Sequence, residues 1–236
     1  MTTYERPARA MILAAGRGER MRPLTDNTPK SLLKVGGKPL IQYHIEALAR
    51  AGFNQVVINH AHLGEQICAF LGDGSRYGVT ITYSAEAGAA LETGGGIFNA
   101  LSLLGEEPFL VINADVWSDY DYSRIRIGED RLAHLVLVEN PPHNGAGDFV
   151  LRGDLISDDA ADRYTFSGIG VYRPELFAGC EPGPFRLAPL LYSMAAQGLV
   201  GGELFQGLWV DVGTPSRLKA LDAALQGGLL DRSQLE

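Results

Sequence analysis

Charged and small residues occur together in one short segment near the start of the chain. The segment Gly16-Arg17-Gly18-Glu19-Arg20 follows a continuous apolar run, residues 10–15, of the kind found in buried strands. Glycines allow a ligand to approach the backbone closely, and the N–H groups of such a turn bind phosphate oxygens. Arg17 adds a planar guanidinium group that is always positively charged. The segment therefore predicts a site for a polyphosphate.

The same part of the chain carries a surplus of positive charge. Residues 16–38 contain six basic and two acidic residues, a net charge of +4 in a chain whose net charge is −8. An acidic protein with one basic loop favours a small anionic ligand over nonspecific binding to nucleic acid. Lys30 follows the rigid Thr28-Pro29 turn in this loop and could reach the same anion, although, taken alone, it fits an ordinary surface lysine better.

Two carboxylates stand where a sheet would present them to a ligand. Asp115 comes just after the apolar run 109–113, and Asp211 lies in the segment Trp209-Val210-Asp211-Val212-Gly213-Thr214, which leads into the last predicted helix. Open α/β sheets bind ligands at the carboxyl ends of their strands. Two acids in such places can hold one Mg²⁺ together with substrate phosphates. For Asp211 alone, a helix-capping role is the simpler alternative.

Several other chemistries lose their sequence support. A dinucleotide-binding turn needs glycine where Met21 stands, and a Walker loop needs Ser or Thr where Pro39 follows Gly37-Lys38. The five histidines lack metal-ligand spacing, and no G-x-S-x-G motif accompanies them. The sequence therefore indicates neither nicotinamide chemistry nor a nucleophilic triad.

Strands and helices must alternate to position these residues. Apolar residues at helical spacing after Pro39, ended by Gly52, predict a helix, and further helices are predicted over 62–71, 97–104 and 187–197. Strands are predicted over 10–15, 56–58, 79–83, 109–113, 132–138, 148–151 and 164–172. This order predicts an α/β fold with three α/β/α layers, Rossmann-like, around a mixed central sheet that is mainly parallel.

Composition sets the remaining expectations. The 236 residues are 46% hydrophobic and 20% charged, and the apolar runs stay below the ~18 residues that a membrane helix needs. The apolar run 10–15 is also shorter than the core of a signal peptide, ~7–15 residues. Cys68 and Cys180 lie far apart without a metal-binding pattern and are expected to be reduced. A soluble cytoplasmic protein with no membrane or nucleic-acid partner is predicted.

The order of the motifs resembles the sugar-1-phosphate nucleotidyltransferases, and the resemblance covers almost the whole chain. The matching motifs are the segment from Leu13 to Thr25, Thr28-Pro29-Lys30, Leu91-Glu92-Thr93-Gly94-Gly95-Gly96, Asn113-Ala114-Asp115 and the segment from Trp209 to Thr214. The chain departs from the family pattern at Ser31, where proline is common, and at Ala114, where glycine is common. The methyl group of Ala114 affects the expected pose of the nucleotide rather than the reaction class.

The resemblance implies a role for individual residues. Arg17, Lys30, Asp115 and Asp211 would be catalytic, and Asp115 and Asp211 would bind Mg²⁺. The implied nucleotide-binding residues are Leu13, Ala14, Ala15, Gly16, Arg17, Gly18, Glu19, Arg20, Lys30, Gly94 and Asn113. The implied sugar-binding residues are Asn140, Asp148, Ser167 and Gly168.

The resemblance also implies an organisation and a reaction. The lack of an internal repeat, a low-complexity tract or a Pro/Ser linker predicts one domain over 1–236, with a frayed tail over 227–236. Within it, the resemblance implies a nucleotide-binding half of about 8–125 and a sugar-binding half of about 126–226. The compact length and the segments Glu92-Thr93-Gly94-Gly95-Gly96 and Thr165-Phe166-Ser167-Gly168 look most like the branch that transfers UMP from UTP to N-acetylmuramic acid 1-phosphate in cell-wall recycling. A monomer or small homo-oligomer is expected.

Alternatives remain open within and outside the family. Another member, such as a mannose-1-phosphate guanylyltransferase or a glucose-1-phosphate thymidylyltransferase or uridylyltransferase, would share all these motifs. A non-catalytic nucleotide-sugar sensor would be expected to lack the lysine or one of the acids, and Lys30, Asp115 and Asp211 are all present.

Overall fold

A computed structural model describes residues 3–86, 91–157 and 162–228 of the chain. The strands in these residues are β1 (Tyr4–Glu5), β2 (Arg9–Leu13), β3 (Lys34–Val35), β4 (Lys38–Pro39), β5 (Gln55–His60), β6 (Thr80–Ala85), β7 (Phe109–Asn113), β8 (Val116–Ser118), β9 (Ile127–Gly128), β10 (Ala133–Val138), β11 (Val150–Arg152), β12 (Leu155–Ser157), β13 (Thr165–Tyr172), β14 (Val200–Leu204) and β15 (Trp209–Asp211). Residues 229–236 of the predicted tail lie outside the described residues.

The helices separate the strands in the predicted order. They are α1 (Leu40–Arg50), α2 (Gly64–Leu71), α3 (Glu92–Leu104), α4 (Leu187–Ala195) and α5 (Pro215–Gly227). Short 3-10 helices cover Glu19–Met21, Lys30–Leu32, Ser75–Tyr77, Pro142–Asn144 and Pro174–Phe177. None of the described helices is long and apolar enough to cross a bilayer.

Nine strands hydrogen-bond into one mixed sheet, in the order β11-β12-β14-β10-β13-β7-β2-β5-β6. β5 and β6 are parallel, as are β10 and β14, whereas β13 runs antiparallel to both β10 and β7. The prediction of a mixed α/β sheet with helices between the strands is therefore confirmed.

The chain divides into two compact units, each built from separate stretches of sequence. The first unit takes its described residues from Met1–Met11, Leu91–Ile112 and Arg124–Gln206. The second takes them from Ile12–Ala90, Asn113–Ser123 and Gly207–Glu236.

The second unit contains an apolar cluster that includes residues of the antiparallel β8–β15 pair. We call it the Trp117 cluster, and its buried members are Met21, Leu33, Val35, Leu40, Trp117, Val210, Val212 and Leu221. Met21, which breaks the dinucleotide-binding pattern, is fully buried in it. Helix α1 buries the apolar face that its spacing predicts, through Leu40, Ile41, Ile45 and Leu48. The loop that carries the glycines and Lys30 is thus anchored on this core.

The first unit contains a bulged antiparallel pair. The register of β10 and β13 shifts between Val136 and Leu137, so that Ser167 and Gly168 have no opposite residue. Gly168 adopts a φ of 79°, which favours glycine. The Ser167 hydroxyl donates to the Val136 carbonyl at 2.6 Å and accepts from the Ile169 N–H at 3.2 Å. Serine and glycine therefore stabilise the bulge.

Two elements of the first unit differ from the sequence prediction. Helix α3 begins at Glu92, five residues before the predicted start at Ile97, so the three glycines lie within the helix. A Cβ on Gly94 would lie 2.4 Å from a ring carbon of Phe185, and one on Gly95 would lie 2.2 Å from the Gly183 carbonyl oxygen. Glycine is present there because the 183–185 segment packs against the helix. Strand β14 was not predicted, since Gly201 and Gly202 weaken the strand pattern.

Candidate active site

The glycine-rich turn after β2 is folded back against the segment that carries Lys30. Gly18 has a φ of 66°, and a Cβ on it would lie 3.0 Å from Thr25 Cγ2 and 3.2 Å from Lys30 Cβ. The Thr25 hydroxyl donates to the Gly18 carbonyl at 2.8 Å. Gly16 has open space around its Cα. The turn therefore leaves room for a ligand at Gly16 and closes on the protein at Gly18.

The basic side chains of this turn point to solvent. Arg17, Glu19 and Arg20 are exposed, and in residues 3–86, 91–157 and 162–228 no ion pair joins Arg17 or Arg20 to a carboxylate. Arg22, in contrast, pairs with Asp26 at 3.1 Å. The guanidinium groups of Arg17 and Arg20 are therefore available to an external anion.

A buried polar chain fixes the backbone where β2 ends. The Ala14 N–H donates to Asn59 Oδ1 at 2.8 Å, and Asn59 Nδ2 donates to Glu86 Oε1 at 2.7 Å. The Leu13 carbonyl accepts from the N–H of Ala114 at 3.0 Å. These backbone groups of Leu13 and Ala14 are thus engaged within the protein. Ala114 is buried, and its methyl group belongs to the interior of this unit.

Lys30 and Asp115 form an ion pair in the second unit. Lys30 Nζ donates to Asp115 Oδ2 at 2.5 Å, and the side chains are 11% and 37% exposed. Lys30 is held by the 3-10 helix that follows Pro29, while Asp115 stands between β7 and β8. The structure thus brings together two of the predicted catalytic residues that are 85 positions apart.

Asp211 lies on the backbone that neighbours Asp115. Strands β8 and β15 are antiparallel with Asp211 opposite Val116, and the Val212 N–H donates to the Asp115 carbonyl at 2.9 Å. Asp211 Oδ2 accepts from Arg217 Nη1 at 2.9 Å, and these two side chains are 22% and 20% exposed. The two predicted metal ligands therefore lie on neighbouring backbone of the same unit, Asp211 at the end of β15 and Asp115 just before β8, each with its own basic partner.

The donor set around these acids fits a divalent cation that also binds phosphate. Carboxylate oxygens are ligands that Mg²⁺ prefers, and it usually takes one or two of them besides substrate phosphates and water. A Cβ on Gly213 would lie 3.1 Å from both carboxylate oxygens of Asp211 and 2.4 Å from Arg217 Nη2, so glycine leaves room for this ion pair. Among the described residues no group of three or more acids, histidines or cysteines could hold a metal by itself. A cation here would need oxygens from a ligand.

A buried histidine supports strand β8, which begins directly after Asp115. The His44 imidazole lies 2.8 Å from the Val116 carbonyl through Nε2 and 3.3 Å from the Tyr122 hydroxyl through Nδ1. Because a carbonyl can only accept, Nε2 carries the proton and Nδ1 accepts from the tyrosine. Burial lowers the pKa of His44 to about 4, so the ring stays neutral near pH 7. His44 therefore fixes the backbone one residue beyond Asp115.

The two residues predicted to lie near the nucleoside are in different elements, Gly94 in helix α3 and Asn113 at the end of β7. The N–H groups of Gly94 and Gly95 both donate to the Phe185 carbonyl, at 3.0 and 3.1 Å, so these groups at the start of α3 are not offered to a phosphate. Asn113 is half-buried at the end of β7, next to the buried Ala114. The contact of Gly94 and Asn113 with a nucleoside stays a prediction.

The predicted sugar-binding residues lie in the first unit, where they make a polar network. Asp148 accepts from the Phe166 N–H at 2.8 Å and from Asn144 Nδ2 at 3.2 Å through each oxygen. Asn140 accepts from the Thr165 hydroxyl at 2.9 Å. Ser167 and Gly168 are buried in the bulge described above. These contacts hold the loop after β10 on β13, and contact with a sugar stays a prediction.

Comparison with known proteins decides the family. The family model described as "Nucleotidyl transferase" matches residues 9–149, which include the glycine-rich turn, Lys30 and Asp115. This chain belongs to the nucleotidyl transferase family. It is 54% identical to the N-acetylmuramate alpha-1-phosphate uridylyltransferase of Neisseria meningitidis, over 91% of this chain and 97% of that protein. It is 36% identical to the protein of the same name from Caulobacter vibrioides, over 93% and 97%.

A solved structure agrees with the nucleotidyl transferase fold. A UDP-glucose pyrophosphorylase, solved with UDP-glucose, superposes with a TM-score of 0.75 at 20% identity and covers 93% of this chain and 98% of its own. At that identity the likeness concerns the fold alone. The family match and the two uridylyltransferase relatives make this chain an enzyme of the nucleotidyl transferase class.

The sequence analysis missed four residues that hold the site: two contact predicted site residues directly, and two act through a neighbouring residue. They are His44, Asn59, Glu86 and Arg217. Asn59 directly follows the apolar run 56–58, and a polar residue at such a place was the available signal for it, as it was for Asn113 at the end of the run 109–113. Arg217 carries a weaker signal, because an arginine in the first turn of a helix is commonly exposed.

Proposed function

We propose that this enzyme transfers UMP from UTP to N-acetylmuramic acid 1-phosphate and releases pyrophosphate. The observation that carries the proposal is that Asp211 on β15 and Asp115, which directly precedes β8, lie on neighbouring backbone, with the Lys30 ammonium on Asp115. The choice of sugar and base is supported by the names of relatives that are 54% and 36% identical over nearly the whole chain.

The reaction is an in-line displacement without a covalent enzyme intermediate. A phosphate oxygen of the sugar 1-phosphate attacks the α-phosphorus of UTP, a new P–O bond forms, and the bond to pyrophosphate breaks. Both reactants are anions, so the enzyme must align them and neutralise their charge. Arg17 and Lys30 supply positive charge to the triphosphate, and the open turn at Gly16 brings backbone N–H groups close to it.

We propose Mg²⁺ as the cofactor, held by Asp115 and Asp211. When bound, it withdraws charge from the phosphate oxygens and fixes their orientation. Asn59 and Glu86 hold the Ala14 backbone, and His44 holds the Val116 carbonyl. The backbone that would bind the nucleotide and the segment that carries Asp115 are therefore kept in place between turnovers. Asn113 and Gly94 are proposed to lie near the nucleoside, and Asn140, Asp148, Ser167 and Gly168 near the sugar.

We place the reaction in the cytoplasm, as a step of cell-wall recycling that supplies UDP-N-acetylmuramate. The free thiols of Cys68 and Cys180 are compatible with a reducing compartment. The proposed partners are the two small-molecule substrates.

One experiment separates this function from its alternatives. Pyrophosphate release is measured for UTP, GTP, CTP and dTTP, each with the 1-phosphates of N-acetylmuramic acid, N-acetylglucosamine, glucose and mannose. The proposal expects the highest kcat/KM for UTP with N-acetylmuramic acid 1-phosphate. A preference for guanine with mannose, or for thymine with glucose, assigns the chain to another member of the family. No release with any pair would favour a sensor.

The role of the acids is tested in the same assay. Asp115→Asn should abolish Mg²⁺-dependent release, because an amide replaces a charged oxygen ligand. Asp73→Asn is the matched control, since Asp73 is an exposed carboxylate that accepts from the Ser75 N–H in a turn. Near-normal turnover of Asp115→Asn would remove the metal assignment.

A further inference from the structure

The two acids of the proposed metal site each face a positive charge supplied by the protein itself. Lys30 Nζ lies 2.5 Å from Asp115, and Arg217 Nη1 lies 2.9 Å from Asp211. The formal charges of these four side chains add up to zero. A pair of acids built to bind a bare cation would be expected to present net negative charge instead.

Two features direct Arg217 towards Asp211. Thr214 caps helix α5, and its hydroxyl accepts from both the backbone N–H and the Nε–H of Arg217, each at 3.4 Å. A Cβ on Gly213 would lie 2.4 Å from Arg217 Nη2, so a side chain at that position would obstruct the guanidinium. The guanidinium then reaches Asp211 across the strand end. The arginine is therefore positioned and does not merely rest on the surface.

A divalent cation that approaches these acids alone meets two fixed positive charges at contact distance. A triphosphate changes this balance, because its oxygens offer Lys30 and Arg217 an alternative partner and bring ligands to the cation at the same time. Arginine and phosphate form strong charge-assisted hydrogen bonds, so the exchange does not leave the guanidinium unpaired.

We propose that Arg217 is a positioning residue that, with Lys30, keeps Asp115 and Asp211 from binding a bare divalent cation, so that the cation enters together with the nucleoside triphosphate. This inference rests on the proposed function, because it takes the two acids as the metal ligands. It adds a residue to the site and an order of binding.

Binding of Mn²⁺ in the absence of nucleotide tests the proposal without any turnover. The electron paramagnetic resonance signal of free Mn²⁺ is followed as enzyme is added. The wild type should bind weakly, and Arg217→Gln should bind on the order of tenfold more tightly, since a unit positive charge next to a carboxylate is removed. Arg217→Lys should restore weak binding, which a purely structural role of the arginine would not explain.

Two further variants serve as controls. Arg173→Gln removes a comparable basic partner from another carboxylate, because Arg173 Nη2 lies 2.7 Å from Glu5 in the first unit and the Arg173 side chain is 17% exposed. This variant should leave Mn²⁺ binding unchanged. Adding Asp115→Asn to Arg217→Gln should remove the gain. If Arg217→Gln does not fold by circular dichroism, Arg217→Met keeps the aliphatic stem and provides the same test.

The outcomes separate the two proposals. Equal Mn²⁺ affinity of the wild type and of the neutral Arg217 variants overturns the inference, as does tight binding of bare Mn²⁺ by the wild type. If the same wild-type preparation still releases pyrophosphate in a cation-dependent way, the proposed function survives that result. Absence of cation-dependent release with any substrate pair would instead count against the proposed function.

Discussion

Replacing Lys30 distinguishes a catalytic lysine from a structural one. Lys30→Met removes the ammonium but keeps an unbranched side chain of similar length. A preorganised charge that acts in the transition state contributes on the order of 3 kcal/mol, so we expect kcat to fall by ~10²-fold or more. The free energy of unfolding should fall by far less. The ion pair with Asp115 is partly exposed, and such pairs contribute at most about 1 kcal/mol to stability.

The two effects are measured separately. Pyrophosphate release gives kcat and KM, and thermal unfolding followed by circular dichroism should show a Tm lower by ~2–4 °C at most. Lys38→Met is the matched control, because Lys38 pairs with Glu46 at 2.7 Å and stacks over the Tyr43 ring. We expect it to change Tm to a similar extent and to leave kcat near that of the wild type. A Lys30→Met enzyme with near-normal kcat would refute the catalytic role, and a large fall in Tm would make the lysine structural.

Three more predictions concern stability. His44 is buried and its pKa is lowered to about 4, so as the pH falls below 6.5 the imidazole takes up a proton in the unfolded chain but not in the folded one. The free energy of unfolding should therefore drop by about 1.4 kcal/mol at pH 5.5. The Tm of His44→Gln should depend less on pH between 7 and 5.5 than that of the wild type. The Ser31 hydroxyl is buried with no hydrogen-bond partner among the described residues, so Ser31→Ala should raise Tm by ~2–4 °C, and a lower Tm would contradict this. Gly95→Ala should cost ~1–3 kcal/mol because of the Gly183 carbonyl, whereas Gly16→Ala, in open space, should unfold close to the wild type in urea.

The sequence was informative where a local pattern decides the structure. Strand β7 ends at Asn113, where the apolar run predicts, and helix α1 buries the predicted face. In both cases apolar spacing over a few turns or residues reports directly on burial. For the same reason the acid that follows β7 could be placed at a strand end before any contact was known.

Helix α3 shows where local patterns mislead. Glycine is a poor helix former, so Gly94-Gly95-Gly96 suggested a loop before the helix. The helix nevertheless includes them, because residues 183–185 pack so closely that a Cβ would collide. That contact joins positions about ninety residues apart, and no window of sequence contains both partners.

Of the basic partners of the two acids, Lys30 could be singled out from the sequence and Arg217 could not. Arg17 and Lys30 attracted attention because they stand in a segment rich in positive charge. Arg217 stands alone in an ordinary helix, and its contact with Asp211 depends on the cap at Thr214 and on the absence of a side chain at Gly213. Polar pairing of this kind is set by tertiary geometry.

The β8–β15 pair, beside which the two acids lie, carries both tryptophans of the chain. Trp117 lies on β8 between Asp115 and the Ser118 that faces Trp209 on β15. One indole is buried in the Trp117 cluster and the other is half-buried. Intrinsic fluorescence therefore originates within a few residues of the proposed cation ligands, and the unlabelled enzyme carries its own optical probe for the arrival of metal and nucleotide.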